Sequence, residues 1–139
     1  MPAPRRFYPT KVEFGLSADG TSAPTTWEEI LQADLVEPQD VDLERFRTST
    51  GHEYMLRSVS RLIVQTTDTQ QTALATLKGH QSNAVRTVWV RVHYAGGNMV
   101  TYKNCSVLVA PNVGRPDRPD MVRVEFVTTS ADGSEILFS

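Results

Sequence analysis

Apolar and polar positions alternate along most of the chain. In "TKVEFGL", Val12, Phe14 and Leu16 alternate with Lys11 and Glu13, a period of two that gives a strand one dry face. In "AVRTVWVRVHY", Val88, Val90, Val92 and Tyr94 share one face, while Thr87, Trp89, Arg91 and His93 share the wetter one. Gly96-Gly97 supplies the positive φ that a tight primed hairpin turn needs. The chain then returns through "VTYKNCSVLVA", apolar at both ends with Tyr102, Lys103, Asn104, Cys105 and Ser106 between. "MVRVEFVTT" sets Val122, Val124 and Phe126 against Arg123 and Glu125, and "EILFS" forms a short final strand.

The middle of the chain departs from this order. "DVDLERFRTSTGHEYMLRSVSRLIVQT" reads as a hairpin with one arm from Val41 to Thr48, a turn at Ser49–His52 and a second arm from Glu53 to Thr66. Val41, Leu43, Arg45 and Arg47 share one face of the first arm, and Asp42, Glu44, Phe46 and Thr48 the other, so neither is dry. The second arm becomes apolar only at Leu62–Val64. A two-stranded ribbon this polar is marginal alone and has to pair with something. "TTWEEIL" is either a helix start, with Thr26 and Glu29 at capping-box spacing, or part of an extended run; Pro38 is expected to stop either one. Residues 68–78 are the clear helix: Asp68 is placed to cap it, Ala73, Leu74 and Leu77 form its apolar stripe, and Gly79 is placed to end it. Segments 17–26 and 113–120 read as loops. About seven short strands and one helix predict a single, mainly β domain over 1–139. It is an antiparallel β-sandwich or barrel with the helix on its flank.

Composition adds mostly exclusions. Hydrophobic residues make up 40% and charged residues 22%, as in an average globular protein, and no apolar run is long enough to cross a membrane. The net charge of -2 offers no global basic surface for nucleic acid. "MPAPRRFYPT" has no apolar stretch of the secretory type. Cys105 is the lone cysteine, a strand filler in a chain suited to a reducing compartment. His52, His80 and His93 lack the spacing of metal ligands, and no serine sits in a nucleophile elbow. Glu28-Glu29 are read as acids in a first helical turn rather than a catalytic pair. The expectation is a protein that is not an enzyme and carries no metal or cofactor.

The arginines on the ribbon are the strongest candidates for function. Arg45, Arg47, Arg57 and Arg61, with Asp42, Glu44 and Glu53 beside them, suit a subunit seam in which a neighbouring copy supplies opposite charges. A solvated edge is the plainer reading, and nucleic-acid grip is weakened by the adjacent carboxylates.

The order of these elements resembles the tail tube proteins of tailed bacteriophages, whose fold is shared with the tube protein of type VI secretion systems. The resemblance runs over Lys11 to Val127, in architecture and pattern. It is carried by the long polar hairpin, by "DTQQTALATLKG", and by "VWVRVHYAGGNMVTYKNCSVLVAPN" followed by "DMVRVEFVTT". It implies a structural virion protein that self-assembles into stacked, hexameric rings, a conduit for DNA ejection that DNA crosses transiently and without sequence specificity. It also implies terminator, baseplate or tip proteins as further partners, and a place in the virion tail after assembly in the host cytoplasm. In that setting the stretch Tyr102–Ser106 would face the helix, the lumen or a neighbour. A tail terminator or head–tail connector ring would leave a similar trace. From a different class, a small carbohydrate-binding β-sandwich would use Trp27, Trp89, Tyr54 or Tyr102 as exposed stacking platforms.

Overall fold

A computed structural model describes residues 8–47, 53–111, 121–128 and 136–138, with side chains outside 40–59 and 111. The strands are β1 (Pro9–Leu16), β2 (Glu28–Glu29), β3 (Ala33–Arg47), β4 (Glu53–Thr66), β5 (Val88–Tyr94), β6 (Met99–Pro111), β7 (Val122–Thr128) and β8 (Ile136–Phe138). Helix α1 (Thr72–Ser82) lies between β4 and β5. All strands join one antiparallel sheet in the order β2-β1-β5-β6-β7-β4-β3, with β8 on β6, and the sheet is not closed into a barrel.

Period-two alternation gives the sheet one dry face. Val12, Phe14, Val90, Val92, Val124 and Phe126 are all buried on it. Helix α1 adds Ala73, Leu74 and Leu77, the stripe read from the sequence. The helix starts later than 68–78 because Asp68 accepts the Gln70 N–H at 3.2 Å in a local turn instead of capping. Gly79 does not end it; the helix continues to Ser82, with Asn83 as its C-cap and Ala84 beyond it at φ 52.

Glu28 and Glu29 lie on a strand, not in a helical turn: they pair with Phe14 and Glu13 of β1. The Ile30 N–H donates to Val12 O at 2.9 Å, and Gln32, at φ 54, turns the chain into β3 at the other end of the sheet. The side chain of Gln71 holds this turn: its Oε1 accepts the Leu31 N–H at 2.7 Å, and its Nε2 donates to Leu31 O at 2.9 Å. An amide side chain thereby stands in for a paired peptide.

The polar stretch in β6 resolves into a β-bulge. Val88 pairs with Cys105 and Val90 with Tyr102, so β6 carries one extra residue, and Asn104 sits at φ 55. Its Oδ1 accepts the Trp89 Nε1–H at 3.1 Å and its Nδ2 donates to Gly20 O at 2.9 Å. Tyr102 and Cys105 are buried in the core, while Lys103 lies over the Trp89 ring. The stretch therefore braces the fold and pins the 17–26 loop.

Candidate assembly interface

Pro38 does not stop the extended segment; β3 begins at Ala33 and runs through it. The hairpin therefore has a longer first arm than Val41–Thr48, and its turn, 48–52, lies outside the described residues. β4 pairs with β7 only from Arg61 to Thr66. Among the described residues no strand flanks the outer edge of β3, and none flanks β4 from Glu53 to Val59. The two strands run on past the sheet as a ribbon, roughly 25 Å long at about 3.3 Å per residue.

The point where the ribbon leaves the sheet is marked by a side chain. Thr128, the last residue of β7, accepts the Ser60 N–H at 3.3 Å and donates its hydroxyl to Ser60 O at 2.9 Å. A hydroxyl thus makes the last rung of the ladder. This rung also fixes which way the peptides point. Ser60 and Leu62 turn their backbone groups toward β7, so their partners Asp40 and Pro38 turn theirs to the outer edge. Pro38 pairs with Leu62 without an N–H, which a strand tolerates where its nitrogen faces no partner.

Six of the seven interface candidates fall on this ribbon, and Arg61 lies within the sheet, opposite Val127 of β7. The register sets Glu44 opposite Arg57 and Arg47 opposite Glu53, so residues of opposite charge take facing positions in the hairpin of a single copy. Asp42 lies opposite Ser58 and Arg45 opposite Met55, positions with no opposite charge across the strand pair. The side chains of these six lie outside the described residues. Arg61 is described: its Nε and Nη2 both donate to Gln39 Oε1, at 2.9 and 2.7 Å.

A charged cluster lies elsewhere, on the sheet face turned away from the core. Glu13 Oε1 accepts from Arg91 Nε at 3.1 Å, contacts His93 Nε2 at 2.5 Å and lies 3.6 Å from Lys11 Nζ. Burial raises the Glu13 pKa, but the hydrogen bonds from His93 and Arg91 and the nearby positive charges outweigh it and hold the carboxyl below its ordinary value. The Arg91 guanidinium stacks 3.9 Å from the Trp27 ring centre. In the 17–26 loop, the backbone N–H groups of Ser22 and Thr21 hold Asp19 well below the carboxylate range. Burial pushes Tyr94 up.

A cleft of about 260 Å³ lies between the β1–β2 end of the sheet and β3, lined among others by Thr10, Lys11, Glu29 and Asp34. Among the described residues, no group of three or more His, Cys, Asp or Glu could hold a metal ion, and no helix is long and apolar enough to cross a membrane. Trp89 and Tyr102 are buried, so neither can serve as an exposed stacking platform. Tyr54 and His52 lie outside the side chains described.

Thr128, Pro38 and Asn104 have roles that alternation alone did not reveal. The proline inside an alternating run was the usable signal, because such a strand has to lie at an edge. No protein-family model matches the chain, and no curated protein matches it in sequence.

Proposed function

We propose that the chain is a self-assembling structural subunit that builds rings and, by stacking them, a tube of the kind tail tube proteins form. The observation that carries this is the β3–β4 ribbon, which leaves the sheet with no strand, among the described residues, flanking the outer edge of either arm. Unpaired backbone donors and acceptors along such an edge favour strand addition. The two edges run in opposite directions, so β3 of one copy beside β4 of the next continues the antiparallel alternation. That contact joins two different surfaces, and contacts of this type generate closed rings when the rotation closes.

In this reading the rings belong to a virion tail, with further tail proteins at either end and DNA passing through. Glu44 faces Arg57 and Arg47 faces Glu53 in register, whereas Arg45 and Asp42 face uncharged residues, and in this reading those two are the charges best placed to meet a neighbour. A terminator or connector would form rings that do not stack.

Negative-stain microscopy of the concentrated protein tests this. Stacked rings are expected for a tube subunit, and isolated rings would favour a terminator or connector. A strict monomer at high concentration would refute assembly. Arg45→Glu, which puts no like charge directly opposite because position 45 faces Met55, is expected to weaken assembly about fivefold or more while circular dichroism stays β-rich.

A further inference from the structure

The outer edge of β3 is long, running from Ala33 at the cleft to Arg47 on the ribbon. The complementary unflanked edge, that of β4, covers only Glu53–Val59. A strand adding to β3 could therefore settle in several registers unless something selects one. Pro38 sits between the cleft portion and the ribbon portion, with its nitrogen on the outer edge. An incoming carbonyl at that position would meet a pyrrolidine ring and find no donor.

We propose that Pro38 is the stop that fixes the register of self-assembly: the β4 edge of a second copy pairs with Asp40–Arg47 and goes no further. The occupant follows from length and direction. Asp40–Arg47 and Glu53–Val59 are nearly equal in extent and antiparallel, and pairing them satisfies both without entering the cleft. This rests on the ring-forming reading above and adds the residue that limits it. Pro38 also shields the chain from open-ended strand addition, because a gap in the donor row interrupts a continuous ladder.

Two substitutions test this by sedimentation velocity and electron microscopy, with circular dichroism and a thermal melt as controls for folding. Pro38→Val restores the missing donor, and the expected result is loss of the closed ring of uniform diameter, single or stacked, in favour of open particles of irregular width. Asp40→Pro removes the next outward donor without touching the β3–β4 ladder, so the fold is expected to persist while assembly is lost. If wild-type protein forms rings and Pro38→Val forms the same rings, the stop is refuted and the ring-forming reading stands. If Asp40→Pro assembles normally, the β3 edge is not the acceptor. A folded wild-type protein that never associates would overturn both.

Discussion

At the scale of single residues, Asn104 shows how a polar side chain in a strand becomes structural. It tolerates a left-handed backbone, and its amide satisfies a buried indole N–H and a loop carbonyl together. Asn104→Ala is expected to cost about 1–3 kcal/mol, with the Trp89 fluorescence shifting to the red. Asn104→Gly keeps the backbone conformation and should cost less than alanine in chemical denaturation; an equal or larger loss would contradict the bulge account. Glu13 gives a pH dependence. Its carboxyl is depressed in the folded chain, so its contribution is present above the ordinary carboxyl value near 4.5 and lost as pH falls through the folded value. Glu13→Gln should flatten the stability profile below about pH 4.5. An unchanged acid limb in urea titrations at several pH values would exclude that role.

Elements were legible in the sequence where one rule governed them. The strands around Val12, Val90 and Val124 stood out because alternation and burial agree there. The stripe of Ala73, Leu74 and Leu77 did so for the same reason at helical spacing. The helix ends were less legible because Asp68 turns locally and because Gln71, the actual first flanking residue, spends its amide on Leu31. The start of β3 was hidden by Pro38, which ends a strand only when its nitrogen must face a partner. Gln71→Ala is expected to cost about 1–3 kcal/mol, since it leaves the Leu31 N–H without its acceptor while Leu31 O keeps only the Thr66 hydroxyl. Hydrogen exchange should report this as faster opening at Leu31 together with the start of α1. Faster exchange confined to the helix would show that the turn is held by something else.

At the scale of the whole molecule, the body and the ribbon follow different rules. The body is a sheet whose end strands are linked through Ile30–Gln32, with a core that one copy completes by itself. The two strands of the ribbon pair with each other, with residues of opposite charge at the facing positions Glu44–Arg57 and Arg47–Glu53. What remains for a neighbour is the outer edges. The charged residues of the hairpin were legible as a group, because such a hairpin has no dry face to bury, but their register was not. The Glu44–Arg57 pairing depends on two register shifts, between Asp42 and Glu44 and between Glu44 and Arg45, that the sequence does not announce. Amide hydrogen exchange over Asp40–Arg47 and Glu53–Val59, followed as protein concentration rises, tests the central claim most directly. The account predicts that amides on the outer edges exchange freely in dilute protein and become protected in step with ring formation. Full protection in the dilute monomer, or rings forming while these amides still exchange freely, would contradict it.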